Sequence, residues 1–85
     1  MRLFFTPKFL RLVGALPPDL QSEAYEKVDA FRDRDNHQAL KVHKLQGKLK
    51  GFSSFSVNYQ VRVIFEFVDD GAVLHAIGDH DAYKS

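Results

Sequence analysis

The chain has 85 residues, of which 45% are hydrophobic and 27% charged, and its net charge is +1. This length predicts one domain, residues 1–85, with a single core. Because there is no cysteine, a disulfide framework and a thiolate metal site are excluded, and packing alone must hold the fold. The apolar run at residues 1–5 is too short for a signal peptide or a membrane span, so we expect a cytoplasmic protein that does not bind membranes.

The first half of the chain predicts a short strand over residues 1–5 and then two helices. Thr6 followed by Pro7 is typical of a helix start, where a hydroxyl caps the first turn and proline loses no hydrogen bond. A second helix starts at Pro18 and carries an apolar stripe at helical spacing. This helix ends near residues 34–36.

The second half predicts three strands. Residues 37–51 show no periodicity, and residues 52–57 form the first strand candidate. Residues 61–68 are the strongest strand, with strict alternation of apolar side chains on one face. An Asp-Gly hairpin signal then leads into a last strand over residues 73–78.

This order predicts an α+β fold with an N-terminal strand, two helices and an antiparallel β-meander. We expect a four-stranded sheet with both helices on one face, because the apolar side of the strongest strand needs a partner. The other face carries Arg62 and is open to a ligand.

Charge is distributed unevenly along the chain. Residues 37–65 contain five lysines and arginines and no acidic residue. Because this basic block falls on a predicted loop and strand rather than on a helix face, it favours an anionic ligand over a merely solvated surface. The low total charge is unlike that of a strongly basic nucleic-acid binder, so any anion must be bound locally.

Four residues could carry chemistry on such an anion. His43 and His80 can exchange protons near neutral pH, Arg62 can bind a phosphate through its fork of donors, and Tyr83 can stack on a base. Each also has a simpler explanation: a solvated loop for His43, a surface position near the chain end for His80, an ion pair with Glu66 or another acid for Arg62, and packing for Tyr83.

The remaining histidines and lysines have weaker assignments. Lys44, Lys48 and Lys50 suit a rim that contacts phosphates, or simply a solvated loop. His75 is predicted to share a strand face with Val73 and Ile77 at the edge of the core, and His37 has no identifiable partner. The histidine spacing fits no metal site, and no cofactor motif is present, so a nuclease of this composition would have to be metal-independent.

Three segments resemble the RelE/ParE superfamily of toxins from type II toxin–antitoxin systems. Residues 43–51 resemble the H-x-L-x-G-x-x-K-G loop of YafQ-type toxins, and residues 62–65 resemble the R-x-V/I-Y/F strand of the superfamily. Residues 78–83 resemble its closing G-x-H-x-x-Y/F signature. The order of elements and the chain length also agree, and the match is closest to the RelE/YafQ-type mRNA interferases.

The resemblance implies a ribosome-dependent mRNA endoribonuclease that inhibits translation. Such toxins cut mRNA in the ribosomal A site by attack of a ribose 2′-OH on the adjacent phosphate, which leaves a cyclic phosphate and a 5′-OH. By position, His43 and His80 match the proton-transfer histidines, Arg62 the phosphate-stabilising arginine and Tyr83 the base-stacking aromatic. A cognate antitoxin protein is the implied partner, and we expect the toxin alone to be monomeric and to form oligomers with it.

Two departures from the YafQ pattern keep alternatives open. Ser56 and Gln60 stand where YafQ-like toxins have a histidine and an aspartate on the central strands. One alternative is a ParE-like inhibitor of DNA gyrase on the same scaffold, which would not need His43 or His80. Another is an inactive relative that only binds antitoxin.

Overall fold

The computed structural model describes residues 1–79, which form two helices packed on one side of a mixed β-sheet. The first strand, β1, is Arg2–Phe5, and the helices are α1, Pro7–Gly14, and α2, Pro18–Phe31. The other strands are β2, His43–Lys44, β3, Ser53–Ser56, β4, Val61–Val68, and β5, Gly71–Asp79. Two short 3₁₀ turns lie at Arg34–Asn36 and Gly47–Leu49.

The described sheet has five strands in the order β1-β5-β4-β3-β2, whereas the sequence predicts four. The additional strand is β2, whose two residues pair with Ser54 and Ser53 of β3. Two residues are too few to show alternation, so the sequence pattern indicates only a loop there. All neighbours are antiparallel except β1, which runs parallel to β5.

Sequence features account for the beginnings of the helices. The Thr6 hydroxyl accepts a hydrogen bond from the Phe9 N–H at 3.0 Å, and Pro7 fills the first helical position of α1. Pro18 likewise begins α2, with Asp19 in the first turn, where a negative charge is favourable to the helix dipole.

The core lies between the helices and one face of the sheet. At its centre the Phe31 ring of α2 stacks on Phe55 of β3 with the ring centroids 4.4 Å apart, and meets Phe65 of β4 edge-on at 4.7 Å. All three are fully buried, and Phe9 and Val13 of α1 complete the layer. The predicted placement of both helices on one side of the sheet is confirmed.

A β-bulge interrupts the pairing of β4 with β5. Ile64 pairs with Ala76 while the next residue, Phe65, pairs with Leu74, so His75 is an additional residue on β5. The bulge reverses the alternation along β5 beyond this point. The prediction that His75 shares a face with Ile77 is therefore wrong, since Ile77 is buried in the core and His75 faces the opposite side.

Candidate functional site

The side of the sheet that faces away from both helices, here called the open face, carries several residues of interest. Arg62, Ile64 and Glu66 alternate along β4 with residues of the core and therefore point to this side. The cross-strand register adds His43 of β2, Ser54 and Ser56 of β3, and Val73, His75, Ala76 and Gly78 of β5.

His43 is held at the edge of the open face by two contacts. Its Nδ1 lies 2.8 Å from the Lys41 carbonyl oxygen, and its Nε2 lies 3.4 Å from the Ser54 hydroxyl. Because a carbonyl can only accept, Nδ1 carries the proton of the neutral ring, and Nε2 keeps its lone pair. In this tautomer the Ser54 hydroxyl donates to Nε2 over a long 3.4 Å contact, so Nε2 takes up another proton only in exchange for that bond.

The backbone beside His43 has an unusual conformation. Lys41 has a φ of 58°, and in residues 1–79 no other residue except glycine has a positive φ. Such a conformation costs on the order of 1 kcal/mol or more and persists only where the surroundings stabilise it. Here the Lys41 N–H donates to Gln38 and its carbonyl accepts from the His43 ring, so the turn helps to orient the imidazole.

Arg62 is half-buried and points along the sheet toward the turn between β3 and β4. Its Nη1 donates to the Asn58 carbonyl at 2.7 Å, which uses one of the five donors of the guanidinium. Glu66, the acid proposed as its ion-pair partner, contacts His75 instead, with Oε1 3.2 Å from Nε2. The hydrogen bond to Asn58 thus fixes one end of the planar Arg62 guanidinium.

The basic loop, residues 44–51, leads from His43 back to the sheet. Its lysines at 44, 48 and 50 are exposed. Gly47 and Gly51 have φ values of +68° and +98°, which a side chain would disfavour, and so they set the turns at the two ends of a 3₁₀ segment. The loop therefore presents its cations to solvent at the β2 edge of the sheet, where Lys44 and Lys50 line a pocket with Ser53 and Phe67.

The described residues offer no candidate for a cluster of metal ligands or for a membrane-spanning helix. Across residues 1–79, no cluster of three or more histidine, cysteine or acidic side chains is placed to hold a metal ion. None of the helices in that range is long and apolar enough to span a membrane.

The model of a protein family matches most of this sequence. The family is that of HigB-like toxins, described as the RelE-like toxin of the type II toxin–antitoxin system HigB, and the match covers residues 16–80. The chain belongs to this toxin family. Curated proteins, in contrast, include no sequence that matches it.

Solved toxin structures share the fold of this HigB-like protein. A YafQ mutant from E. coli is 17% identical with a TM-score of 0.75, over 99% of this chain and 98% of that chain. The RelBE2 toxin–antitoxin complex from Mycobacterium tuberculosis matches with 21% identity and a TM-score of 0.70, over 92% of this chain and 95% of that chain. The YoeB–YefM complex from Staphylococcus aureus matches with 15% identity and a TM-score of 0.72, over 94% of this chain and 97% of that chain. The predicted RelE/ParE-like fold is confirmed.

Two of the four candidate residues lie within the described chain. His43 and Arg62 both lie on the open face, on β2 and β4. His80 and Tyr83 lie outside the described residues. The last described residue, Asp79, pairs with Val61 at the start of β4, next to Arg62.

The two positions that depart from the YafQ pattern have different surroundings. Ser56 lies directly opposite Arg62 across the β3–β4 pair, on the open face. Gln60 is exposed in the turn before β4, where its backbone N–H donates to the Asn58 side chain at 2.8 Å. Only Ser56 is therefore part of the open face.

His37, for which the sequence indicates no partner, has a structural role. Its Nε2 lies 2.8 Å from the carbonyl of Phe31 at the end of α2, and its ring stacks on the Phe31 ring at 4.6 Å. His37 thus caps the C-terminus of α2 and extends the aromatic core.

His75 is the open-face residue that the sequence reasoning missed. Its imidazole contacts Glu66 and meets the Phe52 ring at 5.3 Å and 88°, at the end of the basic loop. Apolar residues stand on both sides of it at 72–74 and 76–77, so no alternation in the sequence indicates which face it occupies. Only the pairing with β4 reveals it.

Proposed function

We propose that this HigB-like toxin is a metal-independent endoribonuclease that cuts mRNA on the ribosome, in the cytoplasm, and so inhibits translation. The observation that supports it most is that His43 and Arg62 lie on the same face of one sheet. Their Cα atoms are two strand spacings and two residues apart, roughly 12 Å. Two side chains and one nucleotide fit across that distance.

The proposed reaction is a transesterification within one strand of RNA. The ribose 2′-oxygen attacks the adjacent phosphorus, a 2′,3′-cyclic phosphate forms, and the bond to the 5′-oxygen breaks. One group must take the proton of the 2′-OH, and another must supply a proton to the leaving 5′-oxygen. The balance is complete without an oxidant, a reductant or a water molecule.

The described residues can supply two of the functions that this reaction needs. Neutral His43 can take one proton at Nε2 in exchange for its long contact with Ser54, and the resemblance assigns the other proton transfer to His80. The Arg62 guanidinium can stabilise the charge that develops on the phosphate. Tyr83, by the same resemblance, stacks on a base.

The lysines at 44, 48 and 50 are proposed to contact phosphates along the message. They are exposed on a loop next to His43, so they suit binding rather than chemistry. Removing one of them should weaken binding in a salt-dependent way and leave the cleavage step unchanged.

We propose a small antitoxin protein as the cognate partner, with the toxin monomeric in its absence. The structural neighbours RelBE2 and YoeB–YefM were solved as complexes of this kind. Coexpression with the neighbouring reading frames, followed by size-exclusion chromatography, tests this part of the proposal.

Primer extension on mRNA from cells that express the toxin without antitoxin tests the activity. We expect cuts at fixed positions within codons of translated messages. His43→Ala should reduce cleavage by about 10²–10⁴, the usual contribution of a positioned proton-transfer group. Glu26→Ala is the control, because this exposed side chain lies on α2, on the other side of the sheet.

Two results would contradict the proposal. Undiminished cleavage by His43→Ala would remove this residue from the reaction. Growth arrest with DNA damage and no cut messages would instead support inhibition of DNA gyrase.

A further inference from the structure

Three observations set His75 apart from an ordinary surface histidine. The bulge places it on the open face, Glu66 binds its Nε2 at 3.2 Å, and the Phe52 ring packs against it at 88°. Its backbone is also anchored, because the Thr6 hydroxyl donates to its carbonyl at 3.2 Å. The side chain therefore has a fixed direction and a specific neighbour.

That neighbour, Phe52, is the residue at which the basic loop rejoins the sheet. Its carbonyl accepts from the Leu45 N–H at 2.9 Å, which closes the loop on itself, and its own N–H donates to the Leu49 carbonyl at 3.0 Å. The loop between these bonds carries Lys48 and Lys50. Phe52 is therefore hydrogen-bonded on both sides of Lys48, to Leu45 and to Leu49.

The basic loop is folded locally by backbone hydrogen bonds between residues 45 and 52. The side chains of its lysines are exposed, and it contains two glycines with positive φ. The pairing of β2 with β3 covers His43 and Lys44, and the hydrogen bond from Leu45 to Phe52 continues it by one residue. Beyond that point the contact of Phe52 with His75 is a direct link between the loop end and β5.

We propose that His75 is a positioning residue, which Glu66 orients and which holds the basic loop in its RNA-binding conformation through Phe52. The carboxylate can only accept, so the Nε2 of His75 carries a proton in this pair, and the ring plane is fixed against Phe52. The substrate-binding part of this inference rests on the proposed endoribonuclease function. The mechanical part, that His75 holds the basic loop through Phe52, does not depend on that function.

The mechanical part is tested by amide hydrogen exchange on the purified toxin. In His75→Ala we expect the amides of Leu45, Lys50 and Phe52 to exchange about three to ten times faster, the factor that corresponds to loss of one edge-to-face aromatic contact. The amide of Val63, in the central strand, should be unchanged. Val73→Ala is the matched control, because it removes a half-buried side chain from the same face of β5.

A conservative variant and a double mutant sharpen this test. His75→Phe retains a ring against Phe52 and should restore most of the protection. In a Phe52→Leu background, His75→Ala should have no further effect on the loop. Equal loss of protection at Val63, or no change at the loop amides, would overturn the inference, since the first indicates global destabilisation and the second indicates no link.

Cleavage kinetics on programmed ribosomes test the connection to RNA. We expect His75→Ala to raise KM by about three- to tenfold and to leave kcat within about twofold of its original value, because His43 is held separately by β2. If kcat instead falls by about a hundredfold or more, His75 is a catalytic residue and the positioning role is contradicted. If the unmodified toxin cuts no message, the proposed function fails, and the exchange data alone decide whether His75 holds the loop.

Discussion

Thr6 joins two parts of the fold through a single hydroxyl group. Its Oγ accepts from the Phe9 N–H at 3.0 Å, where α1 begins, and donates to the His75 carbonyl at 3.2 Å, where β5 bulges. Loss of a threonine cap costs about 1 kcal/mol, and loss of a second hydrogen bond costs about 1 kcal/mol more. We therefore expect Thr6→Ala to lower the free energy of unfolding by about 2 kcal/mol.

Two further substitutions separate these contributions in urea-induced unfolding. Thr6→Ser retains both hydrogen bonds and should remain within about 0.5 kcal/mol of the unmodified protein. Thr6→Asp retains the cap acceptor but cannot donate to His75 when ionised, so it should lose only about 1 kcal/mol. The reasoning is refuted if Thr6→Ala costs less than about 0.5 kcal/mol, or if the aspartate variant is as unstable as the alanine variant.

Four other substitutions should give distinct outcomes. Gly71→Ala should lower the free energy of unfolding by more than about 2 kcal/mol in thermal unfolding, because a Cβ there would lie 1.8 Å from the Arg2 backbone oxygen. Gly14→Ala is its control: a Cβ at Gly14 would meet nothing within 4 Å, so this change should be neutral or slightly stabilising. Phe31→Ala removes a fully buried ring and should cost about 3–5 kcal/mol by urea titration. Lys48→Ala should weaken RNA binding and reduce the slope of log affinity against log salt by about 1, and an unchanged slope would exclude a phosphate contact.

The elements with a strong local signal could be predicted from the sequence. Proline at the start of a helix and a hydroxyl cap locate α1, and strict alternation locates β4 at its observed bounds, Val61–Val68. These signals are local because a helix start and an alternating strand depend on neighbours a few residues apart. The side of the sheet that carries Arg62 follows from the same alternation.

The features that could not be predicted depend on contacts between distant segments. β2 exists because His43 and Lys44 pair with β3, and two residues contain no periodic pattern. The bulge at His75 follows from the register between β4 and β5, which the composition of β5 does not reveal. The sequence indicates a turn residue at Gly71, yet its φ is not positive, and its role is to let β1 approach closely.

The open face also has a buried centre, whose low exposure affects the solvation of the polar groups around it. Ile64 points away from the helices but is only 5% exposed, and the Ser54 side chain beside it is fully buried. Charges beside a buried apolar surface are in general less well solvated than on a flat polar one, so the proposed contact of Arg62 with a phosphate would be stronger there. Because Phe31 and its neighbours supply the core on the other side, the open face can hold histidines and an arginine around Ile64 without loss of packing. If the proposed function is correct, this division of the sheet lets a chain of 85 residues with a net charge of only +1 bind its anion locally.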